Sequence, residues 1–170
     1  MTYKWIGAIL IIASCSLVGY SIAAAYRQEE KSLHQLIGAL DYMACELQYR
    51  MTPLPDLCRQ VAIEKKGNIG ALLEELAIQL EGRLHSDVES CMRISLQKVQ
   101  HLPAKTREAL EILGQSLGRF DLEGQLKGLE SVRSHCRREA EKLAIGKENR
   151  LRSYQTLGIC AGAALAILFV

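Results

Sequence analysis

Apolar residues occupy both ends of the chain in unbroken runs, and charge is confined to the middle. No charged residue stands between Trp5 and Tyr26, and none between Tyr154 and Val170. The stretch 27–153 holds every acidic residue and every basic residue except Lys4. At about 1.5 Å per residue, the first run covers the roughly 30 Å hydrocarbon core of a bilayer, and the second reaches the lower limit for spanning it. Trp5 and Tyr26 bracket the first run as interfacial aromatics would. Gly158 and Gly162 in the second form a spacing that lets membrane helices approach closely. The pattern predicts an N-terminal transmembrane helix over 1–26, a domain over 27–153, and a C-terminal transmembrane helix over 154–170.

Inside the domain, apolar positions recur three and four apart and predict six amphipathic helices. The first, about 29–50, presents Leu33, Leu36, Ile37, Leu40, Met43 and Leu47 and stops at Pro53 and Pro55, with Thr52 as a cap for the next. The second, 55–66, presents Leu57, Val61 and Ala62 and breaks at Gly67-Asn68. Asn68 is positioned to cap a third helix bearing Leu72, Leu73, Leu76, Leu80 and Leu84. Ser86-Asp87-Val88-Glu89 has the form of a capping box for a fourth, with Val88, Cys91, Met92, Leu96 and Val99. Pro103 suits the first turn of a fifth, which carries Leu110, Leu113 and Leu117. Asp121 then caps a long sixth with Leu122, Leu126, Leu129, Cys136, Ala140 and Leu143, free of proline and able to run on into the terminal apolar run. An even number of helices returns the chain to the membrane it left. The expected fold is therefore all-α: a six-helix antiparallel up-and-down bundle flanked by N- and C-terminal transmembrane helices.

Charge sets the orientation. Arg27 and Lys31 follow the first run, and Arg133, Arg137, Arg138, Lys142, Lys147, Arg150 and Arg152 precede the second, against Lys4 alone on the other side. The bias places the domain in the cytoplasm and both termini outside. It also marks Arg27, Lys147, Arg150 and Arg152 as candidate contacts with anionic headgroups. A net charge of +2 and the lack of a basic run with interleaved aromatics argue against nucleic acid.

Candidate chemistry changes this picture little. The six cysteines (15, 45, 58, 91, 136 and 160) contain no C-x-x-C pair and read as reduced thiols, with Cys91 and Cys136 on apolar stripes. His34, His85, His101 and His135 form no zinc pattern, and no phosphate loop, dinucleotide fingerprint or nucleophile elbow occurs. Glu29-Glu30 and Glu74-Glu75 read as solvated charge. Gly114 and Gly118, four apart on a soluble helix, read as points of close packing. The expectation is a protein that is not an enzyme, with no cofactor, no metal and no small-molecule substrate.

Several stretches resemble the stage III sporulation protein AB family, in order along the whole chain. They are Lys4-Trp5-Ile6-Gly7-Ala8-Ile9-Leu10, Glu46-Leu47-Gln48-Tyr49 with Thr52-Pro53-Leu54, and Lys147 ahead of Leu157-Gly158. The most specific is Leu110-x-x-Leu113-Gly114-x-x-Leu117-Gly118-x-x-Asp121-x-x-x-Gln125. Arg50-Met51 departs from the pattern where a smaller residue is expected. That family is similar in turn to the F-domain proteins of type II secretion systems. The resemblance implies a scaffold in the mother-cell membrane facing the forespore, within the channel complex that joins the two cells, with a secretion-type ATPase as cytoplasmic partner. The most specific motif marks Arg119, Asp121 and Gln125 as the candidate partner contact, although packing and capping account for Gly114, Gly118 and Asp121 equally well. Two other readings compete: an extracytoplasmic anchored binding module, if the first run is a signal peptide cleaved after Ala23-Ala24-Ala25, and a small membrane regulator.

Overall fold

The computed structural model describes the backbone of residues 2–65, 67–82, 87–118 and 121–169, and the side chains of 21–22, 24–65, 67–82, 87–118 and 121–145. Six helices follow one another: α1 Thr2–Arg50, α2 Leu54–Glu64, α3 Asn68–Glu81, α4 Val88–Lys98, α5 Ala104–Ser116 and α6 Leu122–Phe169. No strand occurs among the described residues. The helix expected over 29–50 is the C-terminal part of α1, and α6 runs on through the terminal apolar run. Among the described residues no helix is long and apolar enough to cross a membrane. The expected span 154–170 lies outside the described side chains, as does the expected span 1–26 apart from residues 21–22 and 24–26.

The chain divides into two compact units. One is built from Met1–Gln28 and Glu141–Val170, the N-terminal part of α1 and the C-terminal part of α6. The other is Glu29–Ala140. Its core follows the apolar spacing closely. Leu33, Leu36, Leu40 and Met43 of α1, Leu57 and Val61 of α2, and Leu72, Leu73 and Leu76 of α3 are all at most 1 % exposed. Cys91 and Met92 of α4, Leu110 and Leu113 of α5, and Leu129 and Cys136 of α6 are sealed as tightly. Each leucine, valine or methionine among them contributes about 1.5–3 kcal/mol through its removal from water. Among the described stripe residues, Leu122 at the first position of α6 is the one left exposed.

Contacts between successive helices show that each runs against its predecessor. Thr52, just past α1, donates to Glu46 while the Lys65 ammonium at the end of α2 lies over Gly38. Arg59 of α2 pairs with Glu81 at the end of α3 at 2.8 Å. Glu75 of α3 receives Lys98 at the end of α4 at 2.6 Å, and Met92 of α4 sits against Gly114 of α5. Lys105 of α5 lies near Glu139 of α6, and Ser116 near Gly128. Arg133 of α6 closes back onto Asp41 of α1 at 2.5 Å. The α2–α3, α3–α4 and α4–α5 pairs pack directly.

Helix starts are where expectation and structure differ most. Thr52 is no cap: Pro53 holds the N-cap position of α2 and the Thr52 hydroxyl turns to Glu46 at 3.4 Å. Asn68 is already the first residue of α3. Its N-cap is Gly67 at φ 96°, ψ −156°, a backbone that glycine adopts freely. The freed Asn68 amide donates instead to the His101 carbonyl at 3.0 Å. The α4 cap is Asp87, whose carboxylate accepts from the Ser90 N–H at 2.9 Å, and Ser86 lies outside the described residues. Pro103 stands at the N-cap of α5, one place before its first turn. Asp121 caps α6 as its sequence position predicts, accepting from the Gly124 N–H at 3.0 Å.

Candidate functional site

The α5–α6 corner carries the most specific motif, and its residues are largely engaged in building the corner. Leu110 and Leu113 are fully buried and Leu117 nearly so. The Leu117 N–H closes α5 by donating to the Leu113 carbonyl at 3.0 Å. Gly114 meets α4 so closely that a β-carbon there would stand 2.8 Å from Met92 Cβ. Gly118 takes φ 77°, a left-handed helix end, and a β-carbon there would also strike Val88. The chain then reverses into α6, where Asp121 spends its carboxylate on the cap.

Of the three candidate contact residues, Asp121 is exposed and committed to that cap, and Gln125 is half-buried with its main-chain N–H bonded to the Asp121 carbonyl at 2.9 Å. Arg119 lies outside the described residues. The candidate headgroup contacts are similarly divided: Arg27 is exposed on α1, while the side chains of Lys147, Arg150 and Arg152 lie outside those described.

A second cluster escaped the sequence. Glu29, read there as solvated charge, reaches from α1 to accept the Lys105 main-chain N–H at 2.7 Å. The Lys105 ammonium lies 3.5 Å from Glu139 Oε2 and 3.4 Å from Glu108 Oε2. Glu139, first among its neighbours, raises the Lys105 pKa above the ordinary lysine value. Glu75 is likewise more than solvated charge. The Lys98 and Gln79 hydrogen bonds hold its carboxyl below the usual range. The advance signal for the Glu29–Lys105 cluster was Pro103, a helix start with no side chain able to cap it.

Thiol chemistry is muted inside the bundle. Burial pushes Cys58 up to about 12 and Cys136 to about 11, and it also raises Cys91. A thiol so protonated is a poor nucleophile and a poor metal ligand. Cys45 alone among the four described cysteines is exposed. No group of three His, Cys, Asp or Glu side chains able to hold a metal ion occurs among the described residues. A groove of about 250 Å³ between α4 and α5 is lined by Glu89, Met92, Arg93, Leu96, Glu111 and Gln115. Its floor, Met92 and Leu96, is already covered by the packing of the two helices.

Comparison with known proteins identifies the lineage. The family model described as stage III sporulation protein AB matches residues 4–170. The chain belongs to the stage III sporulation protein AB family. A curated relative, stage III sporulation protein AB of Bacillus subtilis (strain 168), is 26 % identical over 173 residues, covering 98 % of this chain and 99 % of the relative. A solved structure, also titled stage III sporulation protein AB, superposes with a TM-score of 0.64 at 23 % identity. It covers 72 % of this chain and 98 % of its own, and at that identity it speaks for the fold alone. The Leu-Gly motif of the α5–α6 corner now has a physical meaning within the family fold. Its leucines fill the core, and its glycines let α4 and α5 close.

Proposed function

We propose that this protein is a non-catalytic scaffold of the channel that joins mother cell and forespore during stage III of sporulation. In this reading α1 and α6 anchor it in the mother-cell membrane facing the forespore, with the bundle in the cytoplasm and both termini outside. The bundle couples a secretion-type ATPase to the other proteins of the channel complex, much as platform proteins of type II secretion systems do. Family membership supports the stage of action. The observation that carries the anchoring is helix continuity: each uncharged end segment is one helix with a core-lining segment, Leu33–Leu47 in α1 and Leu129–Ala140 in α6. The lysine and arginine bias beside those segments supports the cytoplasmic side.

The protein carries its own reporter for the topology. Cys45 is exposed on the bundle, whereas Cys58, Cys91 and Cys136 are sealed. A membrane-impermeant maleimide applied to intact cells should leave the full chain unlabelled until lysis, with Cys45→Ser as the control for the reacting thiol. Labelling before lysis would reverse the orientation and favour the extracytoplasmic binding module. Release of the chain by alkaline carbonate would remove the anchoring altogether. Photo-crosslinkers at Arg119 and Gln125 should capture the ATPase in sporulating cells, and silence from both positions would move the contact off the α5–α6 corner.

A further inference from the structure

Helix α5 begins at Ala104 behind a proline, with no side chain of its own to cap it. The first amides of a helix have no partner within it and need one from outside. Here the Glu29 carboxylate of α1, 76 positions away, takes the Lys105 N–H at 2.7 Å. An anionic oxygen at a helix N-terminus is favoured both by the charge-assisted hydrogen bond and by the helix dipole. The side chain of the same residue turns to α6, where Glu139 is only 8 % exposed. Lys105 is thus held through its main chain by α1, while its ammonium lies between Glu108 of its own helix at 3.4 Å and Glu139 of α6 at 3.5 Å. Glu29 and Glu139 stand at the limits of the Glu29–Ala140 unit, at the points where α1 enters it and α6 leaves.

Immediately before α5, three helix ends are tied together. His101 takes φ 73°, a left-handed conformation costly for a residue with a β-carbon, and its carbonyl is held at 3.0 Å by Asn68, the first residue of α3. Arg107 donates to the Leu96 carbonyl at 3.0 Å near the end of α4. The start of α3, the end of α4 and the start of α5 therefore share one knot, and Lys105 fastens it to α1 and α6.

We propose that Lys105 is a clasp through which the two helices running on to the apolar ends act on the rest of the bundle. A shift of α1 against α6 where they enter and leave the unit breaks one of the two holds that other helices have on Lys105, frays the first turn of α5, and loosens the His101 turn and the start of α3. The direction of the signal rests on the anchored reading above, but the clasp itself does not.

Hydrogen exchange on the full chain in detergent, read by mass spectrometry, tests it. Glu29→Gln and Glu139→Gln keep the shape of each side chain and remove its charge. Each should speed exchange about fivefold across 104–108, the difference between a charge-assisted and a neutral hydrogen bond, because the glutamine oxygen still accepts. Peptides covering 68–72 should loosen in step. The double variant should add little to either single change, because both act on one clasp. Additive effects, or a Glu29→Gln effect confined to α5 with Glu139→Gln silent, would reduce Lys105 to a local cap and overturn the proposal. Should Glu139→Gln fail to fold, Glu29→Gln with Lys105→Met supplies the cycle, because both change half-buried rather than buried positions. Alkaline carbonate extraction of the same variants reports the anchoring separately, so failure of the clasp and failure of the anchor are distinguishable.

Discussion

Two glycines in helix interiors should respond to the same substitution with opposite sign. Replacing glycine by alanine inside a helix gains about 1 kcal/mol by intrinsic preference. At Gly38 of α1 the added methyl would meet only the Lys65 ammonium at 3.4 Å and its neighbouring carbon at 3.7 Å, the far end of a flexible side chain. Gly38→Ala should keep the full gain. At Gly114 of α5 the methyl would stand 2.8 Å from Met92 Cβ and 2.9 Å from its Cγ, where carbon atoms settle at about 3.5–4.0 Å. The Met92 Cβ is fixed to the α4 backbone and cannot swing away, so α4 and α5 must part. Overpacking of this kind costs about 1–3 kcal/mol, and a backbone-borne obstacle belongs at the upper end. Setting about 2–3 against the gain of about 1 leaves Gly114→Ala destabilised by about 1–2 kcal/mol. At roughly 2–4 °C per kcal/mol for a chain of this size, its melting point should fall by about 2–8 °C. Gly38→Ala should rise by about 2–4 °C. The assay is thermal unfolding of the full chain in detergent, followed by circular dichroism at 222 nm. If Gly114→Ala melts at or above the wild type, the close approach of α4 and α5 is not what holds a glycine in the motif.

Three further outcomes follow from the described side chains. Thr106 is fully buried with its hydroxyl unpartnered, so the nearly isosteric Thr106→Val should stabilise the fold by about 1 kcal/mol; a loss in denaturant titration would show that the hydroxyl is satisfied. Met51 sits at φ 50° and is 73 % exposed, so Met51→Gly relieves left-handed strain and should raise the melting point by about 1 kcal/mol worth, while Met51→Val should lower it. Cys58 rises from 9.0 unfolded to about 12 folded, so the folded state keeps its proton where the unfolded state loses it. Its contribution is whole below pH 9 and is lost as pH climbs toward about 12, and Cys58→Ala, though less stable at neutral pH, should show a shallower alkaline decline in denaturant midpoint.

Much of this protein was written in residue order. Helical spacing in a single stretch of chain suffices to mark which leucines face inward, because an apolar stripe has only one way to leave water. Leu33 through Leu47, Leu72 through Leu76 and Leu110 through Leu117 accordingly lie where the pattern put them. Asp121 caps α6 because a cap three residues from its amide is a local event. Gly114 announced close packing, although Met92 as the obstacle could not be named from the sequence.

What the tertiary structure alone decided is the partnering of polar groups across helices. Thr52 and Asn68 looked like caps, but the cap positions fall to Pro53 and Gly67; Thr52 turns back to Glu46, and Asn68 serves a partner 33 positions away. Glu29 looked like solvated charge and is the cap of a helix 76 positions away. The physical reason is one of range. Apolar burial is non-directional and can be read from periodicity, whereas a hydrogen bond needs one donor and one acceptor within about 3 Å. Only the packed arrangement of α1, α5 and α6 brings Glu29 and Glu139 to the same lysine.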